Sequence, residues 1–157
     1  MNIFVLSLCP QICAIMHCDK HVIKMITEYG QLLSTCHHIM NSNPPDGLFK
    51  RCFPKHPCSI WLRESSGNYI WLYHLFIKLC DEYTYRYHKI HKTDSKLRII
   101  LNEIPDLLPV GTLTTFRQAM PGELKMKNPI LGYHNYYRKS KRHIAEWRYR
   151  NIPYFYY

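Results

Sequence analysis

His17-Cys-Asp-Lys-His-Val-Ile-Lys-Met-Ile-Thr-Glu-Tyr-Gly-Gln-Leu-Leu-Ser-Thr35 is the stretch on which the reading of this chain turns. At about 100° per residue, His17, His21, Lys24, Glu28, Gln31 and Thr35 fall within an arc of roughly 80°, while Ile15, Val22, Ile23, Ile26, Tyr29 and Leu33 fill the opposite face. That period predicts an amphipathic helix. The polar row is a narrow line of imidazole, amine, carboxylate and amide, the inventory of an acid–base or anion-handling site. It also fits the wet stripe of an ordinary surface helix.

Working outward, residues 2–8 alternate loosely and predict a short strand or an extended lead-in. Pro10 suits the first turn of a helix capped near Ser7 and running to about His38. Residues 41–58, with Pro44, Pro45, Gly47, Pro54 and Pro57, read as a long loop. A second helical region starts near Ser59, breaks around Ser65–Gly67 and continues from Asn68 to about Ile90. A shorter helix is expected over 94–103, stopped by Pro105; residues 105–112 are loop, and Thr115–Met120 form one or two helical turns. Asn128 and Pro129 read as an N-cap and a first-turn proline, opening a helix to about Lys141. A further helical piece is expected from Ser140 or Lys141 to Trp147, with the last ten residues irregular. The expected fold is a compact all-α single domain over 1–157, a helical bundle with long Pro-rich loops and a basic, aromatic C-terminal segment, 123–157.

The 157 residues carry 21 Lys and Arg against 11 Asp and Glu, a net charge of +10, with ten His in addition. Such an excess points to a polyanionic partner, nucleic acid first. The thirteen Tyr suit half-wet surfaces and nucleobase stacking. From Glu123 onward, eight Lys or Arg face two acids, interleaved with rings as in Tyr136-Tyr137-Arg138-Lys139 and Trp147-Arg148-Tyr149-Arg150. Alternating cations and rings suit a phosphate track with stacking partners, or long stems covering a core. Seven Cys in no disulfide-like spacing read as free thiols in a reducing compartment, with Cys13, Cys36 and Cys80 as small core residues. The apolar start lacks a positive n-region and is cut by Ser7, Pro10 and Gln11, and no run of about 18 apolar residues exists. An intracellular protein without a membrane partner is expected.

Several chemistries can be weighed on the residues. Cys18 near His17 and His21, the run Cys36-His37-His38, and Cys52, His56 and Cys58 contain zinc-ligand types, but no paired Cys-x-x-Cys or His-Glu-x-x-His pattern. Cys18 between His17 and Asp19 is an unspecific nucleophile candidate. No Gly-rich phosphate loop is present, which argues against nucleotide hydrolysis by that route. Lys20 or Lys24, beside His21 and Glu28, supplies an amine and a carboxylate. Such a pair serves glycosylase–lyase chemistry: the amine attacks a sugar C1′ and the carboxylate steadies the developing oxocarbenium ion. Lys24 gripping a phosphate, with Glu28 as its i, i+4 partner, is the simpler reading. On the second long helix, Asn68, Glu82 and Arg86 share the face of Leu72, Leu75 and Leu79, so an inward Glu82–Arg86 pair is either a structural lock or a site wall. Trp61 is placed to stack on a base and Arg63 to fork onto a phosphate.

The blocks His17–Lys24, Glu28–Thr35, His56–Trp61 with Asn68-Tyr69, Glu82–Tyr87 with His91-Lys92, Phe116–Pro121, and Tyr136-Tyr137 through Trp147 together resemble a small, functionally unassigned family of bacteriophages and large DNA viruses. That resemblance spans nearly the whole chain and implies a viral source, hence host cytoplasm or virion, without implying an activity. In size, helical layout and the Tyr136–Tyr137 region the chain is also similar to pyrimidine-dimer DNA glycosylases, small basic all-helical enzymes with an aromatic Tyr-Tyr tail. Those enzymes use the amino terminus of a processed chain as nucleophile. This chain has no Thr after Met1, so that mechanism does not carry over residue by residue.

The reading that results is a viral nucleic-acid-binding and processing protein of DNA base glycosylase or abasic-site lyase type. Lys24, Glu28 and His21 are its catalytic candidates. Lys20, His56, Trp61, Arg63, Asn68, Arg86, His91, Lys92, Arg138, Lys141 and Trp147 are its candidate nucleic-acid contacts, with DNA favoured over RNA. No cofactor or metal is assigned, and the oligomeric state is not legible. The alternatives are a non-catalytic DNA-binding or virion-associated protein, and a metal-dependent nuclease using His17, His21 and Glu28.

Overall fold

Pro10 at the first turn opens α1, Pro10–Met16, and the chain leaves helical geometry at His17 and Cys18, both extended. The single helix expected from Pro10 to His38 is therefore two: α2 begins afresh at Asp19 and runs to Met40. No proline or glycine marks the break. Its cause lies far away, where the Arg86 guanidinium takes the carbonyls of Ile15 and His17 at 2.9 and 3.0 Å. A cation there satisfies carbonyls that the end of α1 leaves unpaired.

Local sequence explains the remaining starts. His56 caps α3, Pro57–Leu62, by accepting the Cys58 N–H; Ser65 does the same for α4, Ser66–Tyr87, from Gly67. His91 caps α5, Lys92–Leu97, and Asn128 caps α6, Pro129–Ser140, as the Asn-Pro pair predicts. Gly67 is required by close approach: a Cβ there collides with the backbone of Thr112 and Leu113, which straps the start of α4. The helix expected over 94–103 is α5 followed by a 3-10 turn at Ile100–Asn102. Thr115–Met120 is not helical, because Gln118 bonds the Met126 backbone and the Ala119 carbonyl accepts from Asn2 Nδ2. Beyond α6 only 3-10 turns form, at Arg142–Ile144 and Tyr154–Tyr156.

The computed structural model covers residues 1–157 and is all-α, with α2 and α4 as its long central helices, α1 and α5 beside them, and no strand. Along α2, Val22, Met25, Ile26, Tyr29, Leu32 and Leu33 are buried; α4 answers with Leu72, Leu75, Phe76 and Leu79. Ile23, expected inside, is 42% exposed. Cys13, Cys36 and Cys80 are core residues as expected, and burial raises their thiols. No helix is long and apolar enough to cross a membrane.

Residues Asn2–Leu6 pass through this core in extended form without a strand partner. Buried backbone groups still need bonds, and side chains provide them. Phe4 N–H donates to the Tyr29 hydroxyl, Leu6 N–H to Cys13 Sγ, and the Leu6 carbonyl accepts from His134 Nε2 at 2.7 Å. Asn2 Oδ1 accepts from the Tyr133 hydroxyl and its Nδ2 donates to the Ala119 carbonyl, each at 2.8 Å. The amino-terminal segment is thus fixed against α2, α6 and the loop before α6.

Candidate functional site

Threading Asn2–Leu6 through the core delivers Met1 to the middle of α2. There the Met1 α-amine lies 3.8 Å from Glu28 Oε2, and Lys24 Nζ lies 3.2 Å from Glu28 Oε1. Met1 and Glu28 are 4% and 15% exposed at the side chain, whereas Lys24 is 68% exposed. These groups open on a recess of about 160 Å³, also lined by Asn2, Phe4, His21, Met25, Ala119, Tyr136 and Lys141. Its volume is that of one small ring, since a cavity of about 150 Å³ holds benzene.

His21 forms part of the recess wall. Its Nδ1 lies 2.6 Å from the Tyr137 hydroxyl, and its ring tilts on Phe4 with centroids 4.2 Å apart. Burial, reinforced by the charges of His17, Lys141 and Lys24, pulls the imidazole down to about 3, so it is neutral at physiological pH. Lys141 brings its ammonium over the Tyr136 ring at 4.8 Å. Two amines, those of Met1 and Lys24, flank one carboxylate, and Lys141 lines the same recess. The amide of Asn2 is committed to neighbours, so the groups left for a visitor are amines, Glu28 and the imidazole edge.

The polar row read from the sequence divides at this point. Lys24, Glu28 and His21 meet in the recess. His17 lies outside it, with Nδ1 on the Cys13 carbonyl at 2.7 Å and Nε2 on the Tyr29 hydroxyl at 3.1 Å, and burial lowers it to about 4. Thr35 donates to the Cys52 carbonyl. No group of three His, Cys, Asp or Glu converges as a metal-ligand set. The trio His17, His21 and Glu28 fails because both His17 nitrogens are engaged.

Three expected nucleic-acid contacts, Trp61, Asn68 and Arg86, are buried and are corrected, and a fourth, Arg63, is half-buried with its guanidinium engaged. Trp61 is 1% exposed, packed against Trp71 and Phe116, so it cannot stack on a base. Arg63 is held by Ser59 Oγ and the Pro54 carbonyl, both at 2.8 Å. Asn68 bonds the Trp61 carbonyl and clasps Thr114. Arg86 is fully buried, donating to Glu82, Asp19, Ile15 and His17. Of the two roles open to the inward Glu82–Arg86 pair, the structural lock is the one found. Burial raises the Glu82 carboxyl, but hydrogen bonds from Arg150 and Arg86 outweigh it and hold the group below its usual range.

Of the other expected contacts, His56 and His91 spend Nδ1 on caps, and Trp147 donates its indole N–H to the Met16 carbonyl at 2.9 Å. Lys20, Lys92 and Arg138 are exposed, and Lys141 reaches the recess. Sequence reasoning missed Met1, Asn2, Phe4, Tyr136 and Tyr137 as site residues. The usable signal was the run Ile3–Leu6: four consecutive apolar residues belong in a core and carry the chain end with them. Comparison with family models, with curated proteins and with solved structures finds no match.

Proposed function

We propose that the protein binds DNA and acts on a deoxyribose C1′ in the recess, as a base glycosylase or abasic-site lyase. The observation that carries this reading is the convergence of amines on one shielded carboxylate in a small recess, with Lys24 Nζ 3.2 Å from Glu28 Oε1 and Lys141 on the same wall. Lys24 supplies the amine, as nucleophile or as phosphate clamp, and Glu28 is the acid–base group beside it.

The steps balance as follows. The amine nitrogen forms a bond to C1′; in base excision the C1′–N bond breaks and the base leaves with the electron pair and a proton. Glu28 offsets positive charge on the sugar as that bond weakens. The nitrogen lone pair of the adduct then expels O4′, which takes a proton from solvent, leaving a protonated imine; at an abasic site the same imine forms from the ring-opened aldehyde with loss of water. Loss of a C2′ proton to a base then expels the 3′ phosphate and cuts the strand. Glu28 is the carboxylate placed to take that proton.

Borohydride trapping on abasic DNA tests the reading. The natural chain should give a covalent adduct, mapped to Lys24 by mass spectrometry and lost in Lys24→Ala. Loss in Lys20→Ala with survival in Lys24→Ala assigns the nucleophile to Lys20 and leaves Lys24 as the phosphate clamp. No adduct with the natural chain removes the lyase chemistry. DNA binding that persists then, with Glu28→Gln binding normally, leaves a non-catalytic cationic scaffold.

A further inference from the structure

A second cleft lies at the far end of α4, lined by Tyr85, His88 and Tyr149 and about 270 Å³ in volume. Two of its three residues have left-handed backbones: His88, the C-cap of α4, at φ 54°, and Tyr149 at φ 57°. Only one other non-glycine residue, Phe53, does so. Left-handed geometry is unfavourable for a bulky side chain and persists where neighbours impose it. At Tyr149 the neighbours are identifiable. Arg148 N–H donates to both Asp19 oxygens at 3.0 and 3.1 Å, and Arg150 grips Glu82 through two bonds of 2.8 Å. Pinned on both sides, Tyr149 keeps its ring 66% exposed instead of folding onto the core.

The facing wall is equally fixed. Arg150 lies over the Tyr85 ring at 4.0 Å, covering one face while Tyr85 stays 49% exposed. The His88 and Tyr149 rings stand 6.4 Å apart. Arg148, next in the chain, rests over Tyr87 at 5.3 Å, and neither it nor Lys89 belongs to any ion pair of the fold. A cleft walled by rings and bordered by unpaired cations complements a flat aromatic ligand attached to phosphate.

We propose that this cleft is a stacking slot for one unpaired nucleobase, with Arg148 and Lys89 on the adjoining phosphates. The proposal rests on the nucleic-acid reading above and adds a second contact to it. Asp19, which anchors Arg148, stands nine residues before Glu28 on α2, a rise of about 13 Å along that helix. The slot thus takes a base other than the one whose sugar enters the recess, and it requires local unpairing. Stacking on aromatic side chains is tolerant of sequence, so the slot selects for an accessible base.

Fluorescence anisotropy at fixed salt, with two labelled probes, tests this. One is an oligonucleotide of eight thymidines; the other has the same phosphates on base-free tetrahydrofuran sugars. The natural chain should prefer the thymidine probe roughly tenfold, the worth of one stacked base. Tyr149→Gly removes the ring and relieves the left-handed backbone, so it folds at least as well; it and Tyr85→Leu should each erase most of the preference while leaving salt dependence unchanged. Equal affinity of the natural chain for both probes overturns the slot and leaves phosphate binding standing. A preference surviving in both variants places the stacking elsewhere and also overturns it. Binding of neither probe overturns the slot and the nucleic-acid reading together.

Discussion

Two clusters of charge, around Arg86 and around Glu28, behave differently. Around Arg86, every charged partner is accounted for: Glu82 receives Arg86 and Arg150, Asp19 receives Arg86 and the Arg148 N–H, and two carbonyls take the remaining guanidinium bonds. Around Glu28, two amines share one carboxylate, a third lines the same recess, and empty volume adjoins them. A buried ion with complete partners is architecture, because removing one member strands the others. A surplus of like charge beside a void is costly to keep unless something of opposite charge enters.

The contrast is broken most severely at Arg86. Arg86→Met leaves Glu82, Asp19 and the carbonyls of Ile15 and His17 without their donor and should cost about 3–5 kcal/mol, read from urea unfolding. Acid is the next strongest probe. Folding keeps His17 and His21 neutral, with values near 4 and 3, while in the unfolded chain they protonate near pH 6.5. Unfolding thus takes up protons, and stability should fall as pH drops below about 6.5, by up to about 1.4 kcal/mol per pH unit for each histidine until the folded values are reached. Glu82, held low, adds to this below its ordinary range, since its contribution is lost as pH falls through its folded value. Denaturant midpoints from pH 7 to 4 give the slope; a flat profile means the two rings are not shielded. The smallest effect is expected at Glu28. Glu28→Gln should change stability by less than about 1 kcal/mol, because its pair with Lys24 is largely in water. A loss matching that at Arg86 would make both clusters structural.

Much of the fold could be read because its causes are local. Apolar period located α2 and α4, and Asn128-Pro129 located the start of α6 to the residue. The break at His17–Cys18 could not be read, since the group that stabilises it is 69 positions away in sequence. The same limit governs the site. Lys24, Glu28 and His21 share a helix face, and a helix face is a sequence property. Met1 and Tyr136 reach them only through tertiary packing. Trp61 shows the converse error: a ring beside cations reads as a binding residue, yet its place on a short helix turns it inward.

The segment Asn2–Leu6 has a consequence for how the molecule folds. Its bonding partners Ala119, Tyr133 and His134 lie 117 to 131 positions from the residues they hold. Contacts that distant close late, a topology of high contact order that slows assembly. A chain cut before α6 would lack the groups that hold this segment in the core, so the recess beside it depends on packing from both ends of the sequence.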